Sequence, residues 1–239
     1  MTARIVALVP ALDEEHCIGD VVSGIASRVD RVIVVDNGST DATARIAREK
    51  GADVVSEPRR GYGRACLAGL ARARELGAEV VLFLDGDGSD DPSDADRLLR
   101  PVLDREIDIA LGARQGDLIE DGAMTPVQRF GNWFAPLLMR WTLGAPYHDM
   151  PPFKACSMTA LDGLSLADTG HGFTIELMVK AHHARLRIRE IPVRCRARRG
   201  GVSKVSGSLR GTSRAAAKIM STIARHAVRA RAAGVRRPR

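Results

Sequence analysis

Three short stretches set carboxylates beside glycine, proline and small hydroxyl residues. They are Pro10-Ala11-Leu12-Asp13-Glu14-Glu15, Asp36-Asn37-Gly38-Ser39-Thr40-Asp41 and Asp85-Gly86-Asp87-Gly88-Ser89-Asp90-Asp91. Hard divalent cations prefer carboxylate oxygens as ligands. Asp85 and Asp87, with only Gly86 between them, can address one ligand set from an extended turn. An Asp-x-Asp pair alone is a weak signal. It gains weight from the other two loops, because acidic clusters brought to one edge repel one another unless a positive partner sits among them. For Asp13, Asp41 and Asp91 the simpler role is to cap the helices that follow. Asp85 and Asp87 do not fit that role, since they close an apolar run and precede the next cap.

Bringing the three loops together requires a sheet. Five short, nearly continuous apolar runs, Ile5–Val9, Arg31–Val35, Asp53–Val55, Glu79–Leu84 and Ile107–Leu111, have the composition of parallel strands buried on both faces. Between them Glu14–Ser27, Ala42–Lys50, Gly63–Leu76 and Pro92–Leu103 carry apolar residues at helical spacing. Ser39-Thr40-Asp41 and Asp91-Pro92 signal two of the helix starts. This alternation predicts an α/β fold with a Rossmann-like, mostly parallel sheet flanked by helices. Ligands in such sheets lie beyond the carboxyl ends of the strands, so the loops after Val9, Val35, Leu84 and Leu111 are the candidate site.

The second half is less regular. Gln128–Leu143 reads as an apolar helix carrying Trp133 and Trp141, residues expected in the core or, alternatively, against a membrane. A proline-rich loop, Tyr147–Lys154, precedes a helix over Phe173–Ala184. Two short strands, Leu186–Glu190 and Val193–Arg196, are expected on either side of Pro192. A basic loop over Gly200–Gly207 leads to a basic helix over Leu209–Ala233. Without an internal repeat or a clear linker, residues 1–239 read as one domain: 1–115 the strand-rich half, 116–207 a C-terminal region, and 208–239 a basic tail.

A chain of 239 residues is long enough for a real core. Its four cysteines are too scattered for a zinc ribbon or a disulfide framework. No apolar run reaches the roughly 18–20 residues that span a bilayer, and acidic residues arrive too early for a secretory signal. The expected location is cytoplasmic. The net charge of +7 conceals an asymmetry: residues 185–239 hold 17 Lys+Arg against one acid, Glu190, while residues 1–184 hold 19 against 28. A basic end on an acidic body points to an anionic partner. Attraction of about 1 kcal/mol per basic residue would favour an anionic lipid surface, with a solvated face as the plainer alternative. At 4% aromatic residues the chain is poor in platforms for stacking RNA bases, and nucleic acid is not the expected partner.

The ordered series VPALDEE, VIVVDNGSTD, EPRRGYGRACLAGLARA and FLDGDGSDDP resembles the inverting family 2 glycosyltransferases of GT-A fold. The resemblance runs on through ALGAR, HDMPPFKAC, GFTIELMVKA and IPVRCRARRGGVSKVSG, over roughly residues 4–215, and is nearest to the dolichyl- and polyprenyl-phosphate mannose and glucose synthases. It implies a nucleotide-sugar-binding half over 1–115 and an acceptor side over 116–207. It also implies that Pro10, Ala11, Asp13, Glu15 and Asp36 contact the nucleoside. Asp85, Gly86 and Asp87 would hold the ribose edge and an Mg²⁺ or Mn²⁺ ion, with Asp87 the principal ligand and Asp85 beside it. Arg114 would lie near the donor diphosphate or acceptor phosphate, and Arg198, Ser203 and Lys204 would close over phosphates. The sequence departs from the family pattern at Asn37, where many relatives carry a second acid, and at Pro151-Pro152, where Ser-Gly is usual.

The implied reaction moves a hexose from UDP-glucose or GDP-mannose, with a metal and guanidinium groups stabilising the departing diphosphate. The expected acceptor is a polyprenyl or dolichyl phosphate. That phosphate oxygen is already anionic and needs no strong base, and the basic end would hold the enzyme peripherally at the inner face of the cell membrane. A hydroxyl acceptor, soluble or lipid, would instead need a base. Asp149 and Glu176 are the candidates, although Glu176 can equally pair with Lys180 one turn on. Gly61-Tyr62-Gly63 lacks the third glycine of a dinucleotide fingerprint, and Gly61 is read as shaping the nucleotide pocket. His171, His182 and His183 show no metal-ligand spacing. A nucleotide-binding, membrane-associated protein without transfer activity is the reading from another class.

Overall fold

The computed structural model describes residues 3–198 together with 220–222 and 224. A seven-stranded sheet, ordered β3-β2-β1-β4-β6-β5-β7, forms its centre. The strands are β1 (Ile5–Ala11), β2 (Arg31–Asp36), β3 (Asp53–Ser56), β4 (Val80–Phe83), β5 (Ile109–Ile119), β6 (Lys154–Ser157) and β7 (Ile188–Cys195). The helices are α1 (Ile18–Ile25), α2 (Thr43–Glu49), α3 (Tyr62–Glu75), α4 (Ala95–Leu103), α5 (Pro126–Leu143), α6 (Met158–Gly163) and α7 (Phe173–His183). The five strands expected in the first half are present, and β1–β4 pair in parallel.

Two features differ from the sequence reading. Residues 154–157, placed partly in a proline-rich loop, form β6, which inserts antiparallel between β4 and β5. The two strands expected around Pro192 are one, β7, paired in parallel with β5 through Pro192 itself. β7 lies at the sheet edge, where one row of backbone N–H groups faces outward and proline is tolerated.

Side-chain alternation explains why both faces of the sheet are covered. Val6, Leu8, Ile33 and Val35 point into one core with Leu70, Phe173 and Leu177, while Ala7, Val9, Val32 and Val34 point into another with Ile18, Ile25 and Leu98. Packing against the first face is close enough that a Cβ on Gly69 of α3 would sit 2.7 Å from the Leu8 side chain. α5 begins two residues before its expected start, on a capping box between Thr125 and Gln128, and ends at Gly144 with φ 70°. Its tryptophans are not in the core: Trp133 is 60% and Trp141 72% exposed. All four cysteines are buried, and none forms a disulfide among the described residues. Ser203, Lys204 and the basic tail lie outside the described residues, apart from 220–222 and 224, which are helical.

Candidate active site

The parallel register aligns the strand ends. Ala11 at the end of β1 sits beside Asp36 at the end of β2, and β4 runs alongside β1 to Phe83, two residues before Asp85. All three acidic loops therefore emerge at one edge of the sheet, as ligand sites in this fold class require.

The first two loops are knitted together by hydrogen bonds. The Asp13 N–H donates to Ser39 Oγ (3.0 Å), and Thr40 N–H donates back to Asp13 Oδ1 (2.8 Å). Glu14 N–H donates to Thr43 Oγ1, Glu15 N–H to Asp41 Oδ2, and Ala42 N–H to Glu15 Oε2. Asp13 adopts φ 52°, a left-handed conformation that Asp tolerates better than most residues. It binds the neighbouring loop and does not cap α1, whose N-cap is Cys17. Asp41 accepts from Thr43 N–H, and Asp91 accepts from Ser93 N–H at the start of the next helical turn. Asp36 accepts from Ser39 N–H (3.1 Å).

Asn37, the departure from the family pattern, has a structural task. Its Nδ2 donates to the carbonyls of Glu57 and Arg59, both at 2.9 Å, and its Oδ1 accepts from Gly61 N–H at 2.7 Å. An acid there could not donate to two carbonyls. Gly61 and Gly63 serve a close approach: a Cβ on Gly61 would lie 2.3 Å from the Thr169 carbonyl oxygen, and one on Gly63 2.0 Å from that of Asp168. The N–H groups of Gly63 and Arg64 donate to Gly170 and Thr169 carbonyls. The start of α3 is thus pinned to residues 168–170.

The β4 loop has a different electrostatic character. Asp85 N–H donates to Asp90 Oδ2 (2.9 Å), and Ser89 N–H donates to Asp87 Oδ1 (3.0 Å). Burial, and then the charges of Asp87 and Asp90, push the Asp85 carboxyl well above the usual carboxylate range. Burial together with the Asp87 charge pushes Asp90 up to about 7. Gly86 packs under Pro10 and Ala11, where a Cβ would come within 3.2 Å of the Pro10 carbonyl oxygen. Behind the cluster lies Lys154, wholly buried, its Nζ donating to Pro152 O (3.0 Å) and lying 5.0 Å from the centre of the Phe83 ring. Burial pulls this ammonium below its ordinary range while Asp85 and Asp90 pull it back up. Sequence reasoning missed Lys154. The available signal was a single cation between Phe153 and Ala155-Cys156 in an otherwise apolar run.

Arginines close the site from β7 and its extension. Residues 194, 196 and 198 alternate along extended chain and so share a side. Arg194 pairs with Asp94 and Asp91, and Arg196 with Asp91 at 2.7 Å. Arg198 Nη2 donates to Glu14 Oε1 and lies 3.4 Å from Asp87 Oδ2. Its Nε and Nη1 are buried without a hydrogen-bond partner among the described residues.

In the second half of the chain, both base candidates are engaged by hydrogen-bond partners. Asp149 accepts four hydrogen bonds: from the Arg114 backbone N–H (3.0 Å), from Arg114 Nε and Nη2 (2.8 Å each), and from Met150 N–H (2.7 Å). Glu176 accepts from Ala167 N–H, Asp168 N–H and Lys180 Nζ. Burial raises its pKa, but these bonds outweigh it and hold the carboxyl below its ordinary range. Asp149 and Glu176, the base candidates of the sequence reading, are thus held by hydrogen-bond partners and position the groups they bind. For Glu176 the pairing with Lys180, weighed as its alternative, is what the structure contains.

A crowded set of carboxylates fits a divalent cation, and it fits one completed by a bound ligand. Among the described residues no group of three or more His, Cys, Asp or Glu is arranged to hold a metal by itself. Magnesium-type sites commonly use one or two carboxylates and take their remaining ligands from water and substrate phosphates.

The model of "Glycosyl transferase family 2" matches residues 6–164. The chain belongs to that family. A Mycobacterium tuberculosis protein described as an uncharacterized glycosyltransferase is 38% identical over 213 residues, covering 87% of this chain and 92% of the relative. An undecaprenyl-phosphate mannosyltransferase of Micrococcus luteus is 28% identical over 223 residues, covering 87% and 90%. Among solved structures, glucosyl-3-phosphoglycerate synthase of M. tuberculosis, in complex with Mn²⁺, UDP-glucose and phosphoglyceric acid, superposes with a TM-score of 0.75. It is 27% identical, and the match covers 94% of this chain and 80% of that one. This glycosyltransferase therefore has an α/β fold matching the GT-A structures of its relatives.

Proposed function

We propose that this glycosyltransferase moves a hexose, with inversion, from a nucleoside-diphosphate sugar of the UDP-glucose or GDP-mannose type to a polyprenyl or dolichyl phosphate. It would work as a peripheral protein at the inner face of the cell membrane. The observation that carries the choice of acceptor is the saturation of Asp149 and Glu176. A hydroxyl acceptor must lose a proton to a base within reach, whereas a phosphate monoester arrives ionised. The similarity to the M. luteus undecaprenyl-phosphate mannosyltransferase supports the same acceptor class.

In this reading Pro10, Ala11, Asp13, Glu15 and Asp36 line the nucleoside end of the cleft. Asp87, with Asp85 beside it, would hold Mg²⁺ or Mn²⁺, which when bound offsets the charge growing on the departing diphosphate. The Nε and Nη1 of Arg198, without a partner among the described residues, suit a phosphate, and Ser203 and Lys204 follow within six residues. Arg114, oriented by Asp149, presents a permanent cation on the acceptor side. Lys154 limits mutual repulsion in the β4 loop from behind. A second reading, a soluble phosphorylated acceptor, draws on the likeness to glucosyl-3-phosphoglycerate synthase.

The two are separated by supplying labelled UDP-glucose or GDP-mannose with Mn²⁺ to the full chain, offering a detergent-solubilised polyprenyl phosphate and 3-phosphoglycerate in parallel. Label passing into organic-extractable lipid is the expected result. Label passing only to 3-phosphoglycerate would replace the lipid reading with the second one.

A further inference from the structure

α5 leaves an apolar stripe facing outward. Val127, Phe130, Trp133, Phe134, Leu137 and Trp141 recur at helical spacing along one side, while Ala135, Met139 and Leu143 on the other side are buried in the core. Val127, Phe130, Trp133 and Trp141 are 54%, 59%, 60% and 72% exposed. The aromatic rings contact one another, Phe130 stacking on Phe134 with centroids 5.5 Å apart and lying 6.0 Å from Trp133. A contiguous patch of this kind on a soluble surface marks an interaction site.

The charges beside the stripe indicate what covers it. Arg129 and Arg140 are exposed along one edge of the helix, and no Asp or Glu occurs from residue 122 to 148. Tryptophan beside arginine on an amphipathic helix suits the boundary between acyl chains and anionic headgroups. The position of α5 in the chain fits the same surface. Residues 120–125 lead into it from β5, and residues 144–149 lead from its end to Asp149, which holds Arg114.

We propose that the Val127–Trp141 face of α5 lies on an anionic lipid surface and sets the acceptor side of the site at headgroup level. The assignment rests on the lipid-phosphate reading above, in locating where that acceptor enters. It also moves the principal membrane contact away from the basic tail.

The chain has only two tryptophans, Trp133 and Trp141, so its intrinsic emission reports this face alone. The full chain is mixed with vesicles of phosphatidylcholine, or of phosphatidylcholine and phosphatidylglycerol at a three-to-one ratio, without polyprenyl phosphate. On the anionic vesicles the emission should shift to the blue and be quenched by lipids brominated on their acyl chains. Trp133→Ser with Trp141→Ser should lower co-sedimentation more than tenfold. Arg129→Gln with Arg140→Gln should lower it about 25-fold, from roughly fivefold per cation near an anionic surface. All four residues are exposed, and an unchanged circular dichroism spectrum verifies the fold.

Emission unmoved and unquenched by vesicles would overturn the proposal, as would full co-sedimentation of the double tryptophan variant. So would a dimer in sedimentation velocity that the same variant dissolves while vesicles leave the wild-type emission unchanged, since the occupant would then be a second copy of the chain. The detergent transfer assay keeps the underlying reading separate. Transfer to solubilised polyprenyl phosphate without vesicle binding would remove only the α5 surface. Vesicle binding without such transfer would remove only the acceptor assignment.

Discussion

Asp149 and Glu176 in the second half of the chain and Asp85, Asp87 and Asp90 in the β4 loop are the same functional group in opposite circumstances. Each carboxylate of the first pair accepts three or four hydrogen bonds and faces a cation: Arg114 at 2.8 Å for Asp149 and Lys180 at 2.9 Å for Glu176. Those of the second group act on one another, and the cations that counter them, Lys154, Arg114 and Arg198, do not pair with them fully. Saturated acids hold parts of the molecule in place. Asp85 and Asp90, raised by burial and by the Asp87 charge, belong to a site that gains from an added cation. The contrast separates structural from ligand-binding carboxylates more sharply than burial does, because members of both groups are buried.

The largest expected effect comes from removing the best-placed charge of the crowded set. Asp87→Asn should lower transfer by about 10³-fold, the scale of a lost transition-state electrostatic contact, while leaving the melting temperature nearly unchanged. Initial-rate assays with saturating donor check this. Next comes Asp149→Asn, which leaves the Arg114 guanidinium with a neutral partner in an enclosed setting. It should cost about 3 kcal/mol in urea unfolding, and because Asp149 positions Arg114 without acting as a base, the pH profile of the residual kcat should match that of the wild type. Glu176→Gln should cost about 1–3 kcal/mol, through weakened acceptance from Ala167, Asp168 and Lys180, and leave donor affinity within a factor of two or so of wild type.

The remaining effects are in pH dependence. In metal-free buffer, Asp90 has a folded pKa of about 7, above the 3.8 of the unfolded chain. The native state then holds a proton that the unfolded chain has released, so stability falls as pH rises from about 4 to 7. Asp90→Asn should reduce that fall, with Asp85, also raised by burial, supplying the remainder. Asp94 and Glu176 act in the reverse direction, since their folded values are lowered and their contribution disappears as pH drops through the acid range. Thermal unfolding across pH 3–8 or so, with chelator present, resolves the two slopes.

The parallel half of the fold was legible because buried parallel strands and amphipathic helices leave their periods in the chain, and Asp85 and Asp87 stood out as acids closing an apolar strand. What escaped depends on tertiary pairing. β6 is four residues long, and only its fit between β4 and β5 makes it a strand. Pro192 reads as a break until β7 is known to be an edge. Asn37 looked like a lost charge, but three distant backbone groups give it a purpose. Asp149 and Glu176 had the right residue type for a base, and only the structure shows the partners that hold them. The tryptophans of α5 sit on an apolar helix, yet sequence alone does not say which side of it meets the core.

The most direct test of the contrast is calorimetric titration of UDP and GDP, with and without Mn²⁺, into wild type, Asp87→Asn and Glu176→Gln. The account predicts that one nucleotide binds wild type and Glu176→Gln only when Mn²⁺ is present, and that Asp87→Asn loses this binding. Metal-independent binding, equal in all three proteins, would contradict it.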